Sequence, residues 1–521
     1  MLRRRRIQGV PAGQRQTEGA NQMSLDLRER ISGCWAGKCL GGAIGMPFEG
    51  VPYRPNLTPE SIRLRQDVPN DDLEMQLIWL TGLRERGLDL DAAAFSHLWR
   101  RHIPAGCDEY SIAIRNLRHG VNPPVSGWLD NCFADGMGAT IRSEIWAAVF
   151  AGRPDAAMHF AELDASVDHW GDGVWGEIFM AAAECRAFTT GELIPSLEFG
   201  RAQLPDDCRL ARTLDAVFEL HRAGVEAGEA GSRIRETFYH YNFTDCVTNL
   251  AFICHALLWG NGEFLPSVLS AVNLGRDADC TGASVGAFLG ILLGRGGLPA
   301  DLLERLNDRL SLSPYVERVP GVPQTLTETV DETLRLHETL RPKLPAVPYP
   351  AYAPYRPDGS EPAICRSRWL VADPAECDTE ALERELRKSG RCPERLKHRI
   401  IETGQLQFDL SPFARDANTL ELFTFLQVRG TPPDPVMVSA TADVGLTLWF
   451  DGEMQCNHHS RLPSLPSFHR AEGGAAFTRH FRDGERRLVR LRLQYCLPPL
   501  RACLMFGDPA NNHLDEITLE I

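Results

Sequence analysis

The sequence predicts a multidomain chain, an all-α N-terminal domain followed by a C-terminal antiparallel β-sandwich. Three observations predict it. Apolar residues recur at spacings of three and four from Leu25 to about Leu340, with Gly or Pro at the ends of the runs. Seven prolines then crowd positions 342 to 362, too densely for a helix and as a linker laid over a surface would require. Beyond them the periodicity changes to two.

In chain order, residues 1–22 open with Arg3 to Arg6 and stay polar. They lack the apolar run of a secretory signal and are expected to form a disordered basic tail. Met23 offers an alternative start. Helices are predicted at Met75–Leu80, Ala92–Arg101, Ile141–Ala151, Asp155–Ala165 and Val247–Trp259, with no alternating strand among them. The all-α domain therefore spans 23–340 and the linker 341–362. In the sandwich, 363–521, Leu420, Leu422, Thr424, Leu426 and Val428 alternate with Glu421, Phe423, Phe425 and Gln427. Leu446–Phe450 runs into the turn signal Asp451-Gly452, and Asp483-Gly484 precedes the alternation of Val489, Leu491, Leu493 and Tyr495.

Composition excludes several classes. A net charge of −14 over 521 residues argues against a general nucleic-acid binder. No apolar stretch is long enough for a bilayer, the nearest being Gly282 to Gly294. Fifteen scattered cysteines without a C-x-x-C pair suit reduced thiols in a cytoplasmic protein better than disulfides or zinc.

Two acidic clusters carry the chemistry. Asn70-Asp71-Asp72-Leu73-Glu74 and Gly275-Arg276-Asp277-Ala278-Asp279-Cys280-Thr281 each precede an apolar helical run. Asp71 with Glu74 also fits a capping box, the bland alternative. If the two helix starts face each other, four carboxylates converge, and oxygen donors of that kind suit Mg²⁺ or Mn²⁺. Gly282, Gly286, Gly290 and Gly294 then recur every four residues. Each glycine costs about 1 kcal/mol of helix stability against alanine, so the stripe predicts a buried helix against which another backbone comes very close.

The helical domain resembles the ADP-ribosylglycohydrolase family, which includes ADP-ribosylarginine hydrolases and the dinitrogenase-reductase-activating glycohydrolase. Four motifs carry the resemblance: Gly41-Gly42-Ala43-Ile44-Gly45 through Glu49; Asn70-Asp71-Asp72; Ser166-Val167-Asp168-His169; and Asp277-Ala278-Asp279-Cys280-Thr281-Gly282-Ala283. It implies a compact helical fold with a binuclear Mg²⁺ or Mn²⁺ centre and no organic cofactor. Asp71, Asp72, Asp277 and Asp279 are implied as ligands, with Asn70 and Cys280 at the remaining positions and Glu49 as a gating or substrate-side carboxylate. Asp279 or Asp72 would accept the proton of the attacking water. His169 reads more readily as a satisfied core residue.

The departures shape the expectations. Asn70 replaces a hydroxyl but keeps a hard amide oxygen, whereas the sulfur of Cys280 is a poor Mg²⁺ ligand, so either Thr281 substitutes or one metal position is weak. Gly42 replaces the usual Asp. Gly136 to Arg142 matches only loosely the family loop that holds the distal ribose and phosphates. The expected activity is hydrolysis of an N- or O-glycosidic bond to ribose, in ADP-ribosylated protein or an ADP-ribose derivative. The alternatives are a small nucleoside-like riboside as substrate, or a non-catalytic binding scaffold with a degenerate site. The sandwich resembles accessory modules of bacterial glycoside-active enzymes. It is expected to serve carbohydrate contact, substrate targeting, self-association or shielding of the cleft, with Trp449 and His458-His459 as sugar-contact candidates. Residues 23 to about 340 are expected to fold alone and retain hydrolysis.

Overall fold

The computed structural model describes residues 25–391, 393, 395–414, 417–459 and 462–521. The expected basic tail, 1–22, and Met23 lie outside the described residues. Helices run from Leu27–Gly45 to Leu326–Leu340, and among the described residues eleven strands follow: β1 Ser367–Ala372, β2 Arg399–Thr403, β3 Phe408–Asp409, β4 Thr419–Val428, β5 Val436–Ala442, β6 Gly445–Phe450, β7 Glu453–His458, β8 Gly474–Arg479, β9 Arg486–Gln494, β10 Arg501–Gly507 and β11 Ile517–Glu520.

The centre of the helical domain is an antiparallel pair, Leu27–Gly45 against Ala278–Leu293, and glycine explains its closeness. A Cβ added at Gly33, Gly37, Gly41 or Gly45 would fall 2.2, 2.1, 2.0 or 2.1 Å from the carbonyl oxygens of Gly290, Gly286, Gly282 and Ala278. No side chain fits between the two backbones. The stripe read at 282, 286 and 290 thus meets a second one at 33, 37, 41 and 45, while Gly294 caps its helix at φ +69°.

The apolar faces of the surrounding helices close over this pair. Trp35, Trp79, Phe95, Trp146 and Phe160 are all buried, each contributing about 2–3 kcal/mol by leaving water. Trp79 meets Phe95 edge-on at 5.1 Å, and Phe95 meets Trp146 at 5.8 Å, the geometry that the ring quadrupoles favour.

The predicted helices stand at Asp71–Arg86, Ala92–His102, Pro154–Ala165 and Cys246–Trp259. The one predicted at Ile141–Ala151 begins as a 3-10 turn, Thr140–Arg142, and continues only to Val149. The proline-rich segment lies along the helical domain: Tyr349 stacks on His159 at 4.2 Å, and Trp170 donates to the Tyr355 carbonyl at 2.9 Å.

The strands form a seven-stranded sheet, β2-β1-β11-β4-β9-β6-β7, and a four-stranded sheet, β3-β10-β5-β8. Pairing is antiparallel except between β1 and β11. The β6–β7 hairpin turns at Asp451-Gly452 with φ of +50° and +82°, the two left-handed residues a type I′ turn needs. Leu422, Leu426, Leu448 and Leu491 fill the space between the sheets with Val438, Ala440 and Leu504. The outward residues Phe423 and Phe425 are buried too, beneath a helix at Thr379–Ser389 that the sequence analysis had not anticipated. Among the described residues, no helix is long and apolar enough to cross a membrane.

Candidate metal centre

The glycine contact sets the site. Because Gly45 touches the start of the Ala278–Leu293 helix, the chain leaving the first helix carries Glu49 directly to Asp277 and Asp279. Carboxylate oxygens of Glu49, Asp277 and Asp279 all lie within 4.8 Å of one another, as do the donor atoms of Asp72, Asp279 and Cys280. Asp279 belongs to both groups and joins them. Asp72 and Asp279 are 1% and 4% exposed, and both oxygens of Asp72 and Oδ1 of Asp279 are buried without a hydrogen-bond partner. The Asn70 amide and the Cys280 thiol approach the Asp72 carboxylate without reaching hydrogen-bond geometry.

Buried carboxylates left unpaired are costly. A divalent cation is the partner that an oxygen-rich set of this kind fits.

The electrostatics agree. Burial, then Asp71 and Asp72, push Glu49 up to about 7, although its side chain faces the open rim. Burial and then the neighbouring Glu49 carboxylate raise Asp279 well above the usual range; Asp277 rises for the same two reasons. Burial also raises the Cys280 thiol, with Asp277 and Asp279 adding to it, so sulfur sits here as a neutral S–H.

A buried lysine opposes these charges. Burial works against the charge of Lys38, but Glu144 and Asp72 outweigh it and hold the ammonium charged. Lys38 Nζ donates to Glu144 Oε1 at 2.8 Å and to the Ile141 carbonyl at 3.0 Å. Gln76 Nε2 donates to Glu144 Oε2 at 2.9 Å and to the Asp72 carbonyl at 2.9 Å. These three residues, absent from the sequence reading, fix the floor beneath Asp72. A lysine in the middle of a glycine-rich apolar helix was the available signal.

The remaining candidates divide. Asn70 Oδ1 accepts from Asp72 N at 2.7 Å and caps the Asp71–Arg86 helix. Glu74 instead accepts from the backbone of Ser313, so no capping box closes on Asp71. Asp71 is exposed at the rim, outside both donor groups, and partial desolvation by the surrounding cleft wall, then the Asp72 charge, raise it to about 6. Thr281 is buried, its hydroxyl donating to the Ala278 carbonyl at 3.3 Å.

His169 Nδ1 lies 2.9 Å from Asp168 and Nε2 3.5 Å from Glu109, and the residue belongs to neither donor group. Arg142 is fully buried and bound by Asp168 at 2.8 Å and Asp164 at 3.0 Å. Trp449 lies beneath the guanidinium groups of Arg490 and Arg492, on the side of the seven-stranded sheet away from the sandwich core. His458 ends the edge strand β7, with His459 after it.

A pH dependence follows. Glu49 holds its proton to higher pH in the cation-free fold than its ordinary value of 4.5. The fold therefore binds more protons than the unfolded chain between about 4.5 and 7, and loses stability as pH rises through that window. Saturating Mg²⁺, which requires ionised ligands, reverses the trend, and its affinity falls as pH drops below about 7. Melting curves from pH 5 to 8, with chelator and with Mg²⁺, check both slopes.

Residues 23–333 match the family model described as ADP-ribosylglycohydrolase. A protein of Archaeoglobus fulgidus described as "Uncharacterized protein" is 25% identical over 309 residues, which span 54% of this chain and 93% of that protein. Among solved structures, a chain from an "ADP-ribosylglycohydrolase-related protein complex" is similar with 19% identity and a TM-score of 0.41. The match covers 60% of this chain and 99% of that one.

Proposed function

The chain belongs to the ADP-ribosylglycohydrolase family, and from that premise we propose that it is a divalent-metal-dependent hydrolase cleaving an N- or O-glycosidic bond to ribose, in ADP-ribosylated protein or an ADP-ribose derivative. One observation carries the reading: two donor groups share Asp279, and both oxygens of Asp72 and Oδ1 of Asp279 are buried without a hydrogen-bond partner. Asp72, Asp277, Asp279 and Glu49 would hold Mg²⁺ or Mn²⁺, which supplies the positive charge that orients ribose hydroxyls and acidifies water.

The chain's own residues supply the rest. Bond cleavage at the anomeric carbon builds positive charge on the sugar, which the carboxylates of the cleft stabilise. Water adds to that carbon as the bond to the leaving nitrogen or oxygen breaks. Asp279 or Asp72 takes the water's proton, and the Lys38 charge offsets part of the upward push that burial exerts on Asp72. Glu49, on the open side, meets the substrate.

A second reading, a small nucleoside-like riboside, is favoured by Arg142. Its guanidinium is spent on Asp164 and Asp168 and is not free for a distal phosphate. Turnover of ADP-ribosylated protein, ADP-ribose conjugates and simple ribosides with Mg²⁺, with Mn²⁺ and with chelator separates the two. A chain that binds neither cation and hydrolyses none of them would sink both.

Cys280→Thr should tighten Mg²⁺ binding by roughly tenfold, because a hydroxyl replaces a soft neutral thiol among hard donors. Calorimetric titration of both proteins checks it. Equal affinity and stoichiometry would place the cation out of reach of this side chain.

A further inference from the structure

We infer that the β domain forms part of the catalytic cleft, with Arg470 as the residue that positions the Glu49 turn. The inference rests on the proposed ribosyl hydrolysis for its kinetic arm only. Arg470 lies in the connection between β7 and β8, and its side chain is 11% exposed. Its guanidinium pairs with the Asp108 carboxylate and donates to Asn242 Oδ1 at 3.0 Å. It also lies 4.5 Å above the Phe243 ring and 5.2 Å from that of Phe133. Leu465, from the same connection, packs with Phe133 and Ile112 beside it.

From Phe243 the contact continues to the centre. Its ring stands 3.2 Å from where a Cβ on Gly50 would lie, and Gly50, at φ +64°, directly follows Glu49. The Gly50 amide also donates to the Arg276 carbonyl at 2.9 Å, just before Asp277. Asp108 meets Arg470 from a backbone φ of +48°, a left-handed conformation unfavourable for a non-glycine residue and kept where the surroundings enforce it. A helix start at Asp108 and a loop at Asn242–Phe243, both of the helical domain, therefore take their places around a side chain that this domain does not supply. On this inference residues 23–340 alone lose turnover, contrary to what the sequence led us to expect.

The test uses the full chain with Arg470→Ala, Arg470→Lys and His119→Ala. His119 pairs with Asp515 at 3.0 Å across the same two domains, but at the opposite end of the Asp108–Arg118 helix. Arg470→Ala is expected to lower kcat on a ribosylated substrate by about 10- to 100-fold, the scale of a misplaced catalytic group. Calorimetric Mn²⁺ affinity should fall with it by about tenfold, because the displaced turn carries Glu49, one of the carboxylates that would hold the cation. Arg470→Lys, which keeps the charge but not the planar stacking, should fall between, and His119→Ala should match the parent. Loss of a mere domain clamp would lower stability in both Arg470→Ala and His119→Ala and leave kcat and Mn²⁺ affinity of both at the parent's values, which would overturn the inference.

Hydrogen exchange of residues 48–51 and 239–245 should rise in Arg470→Ala and not in His119→Ala. If Arg470→Ala does not fold, Arg470→Lys carries the same measurements. Unchanged kcat in a folded Arg470 variant overturns the inference. If the parent hydrolyses no riboside, the functional reading fails by itself, and exchange decides: unaltered protection at 48–51 and 239–245 overturns the positioning role, and a selective rise upholds it.

Discussion

Asp279→Asn is expected to abolish cation binding and reduce turnover by at least about 10³-fold, while making the cation-free protein more stable. The two effects have one cause. Asp279 is the carboxylate common to both donor groups, so the amide removes a charge from every cation position the cleft can offer. In the cation-free fold the same charge is a liability. Glu49, Asp277, Asp72 and Asp71 all act to keep Asp279 protonated, after burial itself.

Asparagine keeps the shape and removes the like-charge crowding, a gain of about 1 kcal/mol of the kind seen when a functional site is neutralised. The parent should gain about 2.7 kcal/mol from a cation at one hundred times its dissociation constant, and the variant nothing. Melting curves in chelator and in Mn²⁺, with steady-state turnover, read all three quantities. A variant that melts lower than the parent in chelator, yet still responds to Mn²⁺, would mean that Asp279 is a structural acid and the centre lies elsewhere.

What the sequence disclosed about this site followed from local periodicity. Asp277 and Asp279 precede a glycine stripe, and a stripe can be read from spacing alone because only backbone contact explains it. Adjacent positions were harder. Asp71 and Asp72 differ by about 100° around a helix, so one carboxylate turns inward and the other stays at the rim, a distinction that the Asn-Asp-Asp pattern does not contain.

Lys38, Gln76 and Glu144 were missed for a different reason. Each is an ordinary polar residue until tertiary packing brings together positions separated by 106 and 68 residues. Arg470 is the extreme case, its partner Asp108 lying 362 residues away in the other domain.

The Thr379–Ser389 helix did carry local signals: Asp378 accepts from Ala381 N, and Gly390 is left-handed at φ +65°. Its apolar face is narrow, with Leu382 and Leu386 buried, and it falls within 363–521, the span read as sandwich. Alternation in β4 marked the inward face correctly, while Phe423 and Phe425 on the other face make sense only once that helix covers them.

Gly286→Ala is the substitution in which two opposing effects are largest and most separable. Alanine gains about 1 kcal/mol of helix propensity over glycine. Against that, its Cβ would stand 2.1 Å from the carbonyl oxygen of Gly37, where ordinary contact lies near 3.5 Å. The obstacle is backbone within a regular helix, so no rotamer change relieves it and the two helices must separate. Overpacking of this kind costs about 3 kcal/mol or more, so the clash wins and the variant is destabilised despite its better helix former.

Gly228→Ala supplies the comparison: it is helical, and nothing lies within 4 Å of its added Cβ, so only propensity acts and stability should rise by up to about 1 kcal/mol. Since the first helix delivers Glu49 and the second delivers Asp279, separating them also opens the carboxylate groups. Gly286→Ala should therefore bind Mn²⁺ more weakly even where it remains folded. Denaturant unfolding of both variants, and Mn²⁺ titration of the folded fraction, read the outcome. A Gly286→Ala protein as stable as Gly228→Ala would show that the two backbones do not touch, and the convergence of Glu49 with Asp277 and Asp279 would lose its structural cause.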